Sequence, residues 1–263
     1  MPGSGFGISR KSLNLNIKGL LTDLDGTLFV GDDPVPGARE AIQTIEQAGI
    51  RIRYVTNTTR RPRRLVAAHL RSLGFDLEDR EIFTPARAAA SLIAGRSCFA
   101  LVDDTLLEDL EGAQLTGERP EYVLVGDLGG GFTYERLDAA FRHLMDGAEL
   151  VALQKNRYWQ TPDGLSLDAG PFVAALEYAS GKTATVVGKP EPGFFGLALR
   201  EMGLEASEAA MIGDDPESDV AGAQRAGLAG IQVRTGKWRP GGDDGQADLV
   251  LDSFADLPRA LGL

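Results

Sequence analysis

The stretch Ile17-Lys18-Gly19-Leu20-Leu21-Thr22-Asp23-Leu24-Asp25-Gly26-Thr27 decides the fold. A short apolar run, Ile17–Leu21, stops at two carboxylates and a turn glycine, which predicts a buried strand with its chemistry at the carboxyl end. Downstream the same unit recurs. Ala38–Gln47 reads as a helix with Ala41, Ile42 and Ile45 on one face and Gly49 as its stop, and Ile50–Val55 reads as the next strand. Further strands are predicted at Cys98–Val102, Tyr122–Val125, Leu150–Leu153, Ala184–Val187, Ala209–Ile212 and Gly230–Val233, with helical stretches at Tyr134–Leu144, Pro171–Tyr178 and Ser218–Ala226. Apolar strands alternating with helices predict an α/β fold with a parallel sheet.

In open parallel sheets ligands bind beyond the carboxyl ends of the strands. Four predicted strand ends carry chemistry: Asp23-Leu24-Asp25-Gly26-Thr27, Thr56-Asn57-Thr58, Gly188-Lys189-Pro190 and Gly213-Asp214-Asp215. The long stretch between the second and third has strands and helices of its own and reads as an inserted domain.

Composition narrows the function. The 263 residues carry a formal charge of −11, which argues against general nucleic-acid binding, because nucleic acid demands a basic face. No apolar run approaches a membrane span, and Met1–Asn16 has Arg10 and Lys11 but no apolar core of a signal segment after them, so a cytoplasmic protein is expected. The single cysteine, Cys98, sits in an apolar run and reads as an inert buried thiol. His69 and His143 fall within helical patterns and read as structural. An acidic protein that takes an anionic substrate needs a local positive centre for it. The cluster Arg60, Arg61, Arg63 and Arg64 is a candidate for the rim of such a centre, set against the plainer reading of a solvated helix face.

The four strand ends supply the parts for phosphoryl chemistry, where catalysis rests on positioning and charge neutralisation. Asp23 is the candidate nucleophile and Asp25 the candidate acid and base. Thr56 offers a hydroxyl, and the backbone N–H groups after it, through Asn57 and Thr58, can donate to phosphate oxygens. A carboxylate and a phosphate repel each other, and clustered carboxylates with no His or Cys partner suit Mg²⁺. Asp23 and Asp214 are the natural side-chain ligands. Asp219 completes the site directly, through water, or by orienting Lys189, which offsets the negative charge; Asp215 is a further partner. Each piece alone has a plain reading as a turn, a helix cap or a surface lysine. Their joint placement at strand ends carries the argument.

At these residues the chain resembles the haloacid dehalogenase superfamily. Asp23-Leu24-Asp25-Gly26-Thr27, Thr56, Lys189 and Gly213-Asp214-Asp215 through Asp219 are similar to its four motifs, in the same order. The insertion between the second and third motifs, with Thr56-Asn57-Thr58 and Val187-Gly188-Lys189-Pro190, is similar to the NagD-like subfamily; Thr58 departs from it, since many relatives show Asn followed by Ser. The resemblance implies a three-layer Rossmann-like core of residues 1–84 plus 183–263 and an inserted α/β cap of about 85–182, with catalysis between them. It also implies Mg²⁺ held by Asp23, the Asp25 backbone carbonyl and Asp214, and a homodimer or larger homo-oligomer formed through the cap. The expected substrate is a small phosphorylated metabolite, chosen by Lys155, Arg157 and Tyr158, with Thr161-Pro162-Asp163-Gly164 to Gly170 as a loop descending on the core. A phosphotransferase or mutase on the same fold, and a phosphoaccepting signalling domain, are the rival readings; the latter puts its acidic pair and its phosphorylated Asp in the opposite order.

Overall fold

The computed structural model describes residues 17–161, 163–239 and 247–263. The expectations for Met1–Asn16 and Pro162 lie outside the described residues.

Six parallel strands form the first sheet, in the order Leu249–Leu251, Ala229–Val233, Ala209–Gly213, Gly19–Thr22, Arg51–Val55 and Ile82–Phe83. Leu20 faces one apolar layer with Ile52, Tyr54, Ile212 and the helix residues Ile42 and Ile45, while its neighbour Leu21 faces the opposite layer with Val55, Met211, Phe194 and Phe195. Alternation along buried strands therefore builds three layers, helices on both faces of one sheet. The chain enters at the centre of this sheet and the strand order reverses beside Gly19–Thr22, so the crevice that binds ligands in such folds opens beyond Thr22, Val55 and Gly213.

A second sheet has the order Thr185–Val186, Glu149–Ala152, Tyr122–Val125, Ser97–Leu101 and Gln114–Leu115, again parallel and again with an apolar cluster on each face. Thr185–Val186 pairs with Val151 and Ala152. The strand before Lys189 thus belongs to the second sheet, not to the first as the strand-end argument assumed. Pairing partners far apart in sequence decide sheet membership, and an apolar run does not reveal them. The chain leaves the first sheet through Thr84, whose hydroxyl accepts from Arg87 N and caps helix Pro85–Ile93, and comes back at Gly188. Exit and return touch: a Cβ on Gly188 would stand 3.2 Å from Pro85 Cγ.

Two other expectations change. The segment read as a loop is largely an antiparallel hairpin, Tyr158–Thr161 with Gly164–Leu167, in the register Tyr158 to Leu167. β-forming residues, Tyr158, Trp159 and Thr161, make up most of its first strand. The helix expected over Ser218–Ala226 begins instead as a π-helical turn, Pro216–Ala221, with Val220 N donating to Asp215 O, and becomes α-helical at Gly222–Arg225.

Residues 59–64 form a seam with the second half of the molecule. Thr59 Oγ1 accepts from Asp127 N at 3.0 Å, Arg60 Nε lies 3.3 Å from Asp127, and the Arg60 guanidinium stands 5.4 Å above the Trp159 ring. Arg63 donates from its backbone N–H and its Nε to the buried Asp109, at 2.7 and 3.1 Å, and Arg64 pairs with Glu108. Arg63 ties the two halves together through the buried Asp109, whereas Arg60, Arg61 and Arg64 are exposed, as the plainer reading of a solvated face has it. Asp109→Ala is expected to lower unfolding stability by about 2 kcal/mol, because one buried carboxylate satisfies a main-chain donor and a guanidinium together. Chemical denaturation measures it; a change below roughly 0.5 kcal/mol, the size of an ordinary surface substitution, contradicts the seam.

Candidate active site

Two adjacent strand ends and one returning loop meet at a single ammonium. Asp23 follows its strand directly, its N–H still donating to Ile212 O at 2.9 Å, as if the ladder ran one residue further. Lys189 Nζ donates to Asp23 Oδ1 and to Asp219 Oδ1, both at 2.6 Å, and all three side chains are buried. Asp214 joins them, so that one carboxylate oxygen from each of Asp23, Asp214 and Asp219 lies within 4.8 Å of the others.

Electrostatics here are severe. Burial pushes the Asp23 carboxyl above its ordinary range, a rise that Lys189 opposes. Burial raises Asp214 to about 6, opposed by the Lys237 N–H, and raises Asp219 to about 7, with the charge of Asp23 adding to the rise. Burial pulls on Lys189 in the neutral direction, but Asp219 and Asp23 outweigh it and hold the amine above the usual lysine range, so it stays charged. With all four groups ionised, three carboxylates face one ammonium, and a divalent cation would balance the remainder.

The residues present fit such a cation. Asp214 Oδ2 accepts from Lys237 N at 2.7 Å, whereas its Oδ1 is buried with no hydrogen-bond partner among the described residues. A buried anionic oxygen without a donor is costly, and a cation relieves it. Oxygen-only ligands select a hard ion of the Mg²⁺ or Ca²⁺ kind. Gly26 is required for this packing: its φ is 84°, and a Cβ there would stand 2.1 Å from Asp214 Oδ2.

The other expected residues fall in different places. Thr56 follows Val55, and its Oγ1 accepts from Thr58 N at 3.2 Å, which occupies the oxygen as an acceptor and leaves the hydroxyl proton to be donated. Asn57 spends its side-chain amide on the Lys189 backbone, so a phosphate contact from Asn57 would come from its own backbone N–H. Asp215 Oδ1 accepts from Glu217 N and Ser218 N, capping the π-helical turn, and its Oδ2 takes Lys237 Nζ at 3.0 Å. It is a structural cap beside the cluster. Asp219 Oδ2 accepts from Asp215 N at 3.1 Å, which fixes the carboxylate that receives Lys189. Asp25 is exposed, and among the described residues its side chain has no hydrogen-bond partner. Lys155 is paired with Glu177 at 2.7 Å, and the Arg157 guanidinium lies 5.9 Å from the Tyr158 ring. His69 and His143 pack edge-on or tilted against Phe29 and Phe99, and burial pushes the Cys98 thiol up to about 12, which leaves it inert.

Sequence reasoning missed Thr235-Gly236-Lys237. Thr235 Oγ1 donates to Gly26 O, and Lys237 reaches Asp214 through its N–H and Asp215 through its ammonium. The signal was present, since this turn follows strand Ala229–Val233 at the same edge of the sheet.

Comparisons with known proteins agree with this geometry. A family model described as haloacid dehalogenase-like hydrolase matches residues 20–116, and a second, described as HAD-hydrolase-like, matches residues 186–257. The human haloacid dehalogenase-like hydrolase domain-containing protein 2 is 48% identical over 225 residues, 85% of this chain and 86% of its own. The bovine phospholysine phosphohistidine inorganic pyrophosphate phosphatase is 40% identical over 248 residues, 91% of each chain. Among solved structures, a 4-nitrophenylphosphatase from Thermotoga maritima superposes with a TM-score of 0.88 at 26% identity, covering 94% of this chain and 98% of that one. NagD from E. coli K-12 gives 0.85 at 25%, covering 91% and 98%.

Proposed function

The chain belongs to the haloacid dehalogenase-like hydrolases, as a NagD-like phosphatase, and we propose that it hydrolyses phosphate monoesters of small metabolites through an aspartyl-phosphate on Asp23. The observation that carries this reading is Lys189, buried and bonded at once to Asp23 and Asp219 beside Asp214. An Asp23 carboxylate oxygen attacks phosphorus, the ester P–O bond breaks, and the leaving oxygen takes a proton from Asp25. Water then attacks the acyl phosphate, gives its proton to Asp25, and releases Asp23 and inorganic phosphate. The exposure of Asp25 suits a group that serves both a departing alcohol and an incoming water. Lys189 offsets the charge on Asp23 and the phosphate, and the Thr56 hydroxyl donates to a phosphate oxygen. Mg²⁺, held by Asp23, the Asp25 carbonyl and Asp214, would supply charge neutralisation at the transferring group.

Residues 1–84 with about 188–263 are proposed as the catalytic core and residues 85 to about 187 as the cap that selects the substrate, a few residues longer than the 85–182 expected from sequence because Thr185–Val186 pairs within the second sheet. Homodimerisation through the cap is part of the same reading, supported by the exposed Tyr158, Leu165 and Leu167, which share one face of the hairpin. Screening the purified protein with Mg²⁺ against sugar phosphates, nucleotides, phosphoglycolate-like acids, pyridoxal phosphate and inorganic pyrophosphate tests the function. Phosphate released to water supports the hydrolase; phosphate delivered to an added sugar hydroxyl moves the reading to a phosphotransferase.

Within the cap, Arg157→Ala is expected to change relative kcat/KM among metabolites by about tenfold or more, while activity on p-nitrophenyl phosphate changes less than about threefold. Lys155→Ala, whose ammonium is committed to Glu177, should have the smaller effect. Steady-state kinetics on both substrate types measures this, and equal losses on every substrate count against the division of labour.

A further inference from the structure

We infer that Asn57 is a positioning residue for Lys189, acting through its side-chain amide and not by contact with the phosphate. This rests on the phosphatase reading and adds to it a part that fixes the central ammonium.

The need for such a part follows from the path of the chain. Lys189 comes three residues after Val186, the last residue of a strand that pairs with the second sheet, yet its ammonium has to sit among carboxylates carried by the first. A lysine side chain has four carbon–carbon torsions, and two salt bridges at its tip do not by themselves fix where its backbone lies. Asn57 supplies that fix from the first sheet. Its Nδ2 donates to Lys189 O at 2.8 Å and its Oδ1 accepts from Lys189 N at 2.8 Å, a two-point clamp between residues 132 apart in sequence. The two bonds together also set the orientation of the amide, since only one assignment of oxygen and nitrogen satisfies both. Asn57 is itself anchored one residue after Thr56, whose N–H donates to Phe83 O in the edge strand of the first sheet. Local packing is shaped for the clamp: a Cβ on Gly188 would stand 2.7 Å from Asn57 Oδ1 and 2.5 Å from Leu153 O, so only glycine at 188 lets the amide close on the next residue. The clamp therefore holds the Lys189 backbone to the nucleophile's sheet although the strand before it belongs to the other.

A double-mutant cycle on the full chain tests this, with Asn57→Ala, Lys189→Met and the double variant assayed on p-nitrophenyl phosphate with Mg²⁺. Asn57→Ala should lower kcat by roughly 10- to 100-fold with KM within about threefold, because ground-state contacts to the phosphate are kept. In the Lys189→Met background the same change should cost less than about threefold, since the group it positions is gone. The inhibition constant of inorganic phosphate should be little altered by Asn57→Ala. Asn57→Asp keeps the acceptor for Lys189 N but loses the donor to Lys189 O, and should fall between wild type and Asn57→Ala; it also serves the cycle if the alanine variant proves unfolded by circular dichroism. Losses that multiply in the double variant, or a loss confined to KM and phosphate affinity, overturn the inference while leaving the phosphatase reading intact. Full activity in Lys189→Met overturns both.

Discussion

Asp23→Asn is expected to lower turnover of any phosphate ester by about ten-thousand-fold or more, because it removes the attacking carboxylate while preserving side-chain volume. No phosphoenzyme should form. Asp25→Asn should behave differently, since the nucleophile remains and the lost functions are protonation of the leaving group and activation of water. With an ester whose leaving group needs little protonation, such as p-nitrophenyl phosphate, that variant should still phosphorylate Asp23 and then stall. Rapid mixing with Mg²⁺, an acid quench and mass analysis of the peptide spanning residues 19–39 would read the added phosphate on Asp23. Label on another residue, or near-normal turnover by Asp23→Asn, would sink the nucleophile assignment.

Removing divalent cations should abolish activity, and adding Mg²⁺ back to the chelated protein should raise its thermal midpoint. At a concentration one hundred times its dissociation constant the cation contributes about 2.7 kcal/mol, which for a chain of this size is a shift of several degrees. The shift should grow with pH, and its sign follows from the raised carboxyls. Asp214, at about 6, and Asp219, at about 7, bind protons in the folded state that the unfolded chain, with its carboxyls near 3.8, has already released. As pH rises from about 4 to 7, folding of the cation-free protein therefore becomes less favourable on account of these two groups. A cation requires them ionised and compensates their charge, so the gain in midpoint from Mg²⁺ should be small at pH 5 and larger at pH 8. Differential scanning fluorimetry at the two pH values, with Asp214→Asn as the variant that loses the response, measures it. A midpoint indifferent to Mg²⁺ at pH 8, or undiminished activity after exhaustive chelation, contradicts the site.

Much of this architecture was legible because parallel strands buried on both faces leave unbroken apolar runs. Tyr122–Val125 was read to the residue, and Ile17–Leu21, Ile50–Val55 and Ala209–Ile212 were read within two residues at each end. The rule that chemistry gathers where such strands stop then led to Asp23, Thr56, Asp214 and Asp219. Two-residue strands such as Ile82–Phe83 and Gln114–Leu115 are too short to carry a period. The tie between Arg63 and the buried Asp109 is not legible, because a charged side chain does not announce whether water or a distant carboxylate meets it. Asn57 offers its backbone N–H to a phosphate on the sequence reading, and only the three-dimensional path of residue 189 shows where its side-chain bonds go. Lys237 stands in the turn after strand Ala229–Val233, at the same edge of the sheet, where a strand-end signal points to it without any need of the three-dimensional path.

That the chain leaves at Pro85 and returns at Gly188 in contact has a consequence for how this protein can be rebuilt, in nature or at the bench. A segment whose two ends touch is topologically a loop, and exchanging it alters the closure entropy of the host only slightly, however much is inserted. If the second sheet is the proposed cap, the corresponding segment of a relative spliced at residues 85 and 188 is expected to leave the threading of the first sheet unchanged. The graft carries a condition. Arg60 and Arg63 are paired with the Asp127 and Asp109 carboxylates, so a grafted segment has to bring those acceptors with it or the recipient has to change the two arginines in the same step.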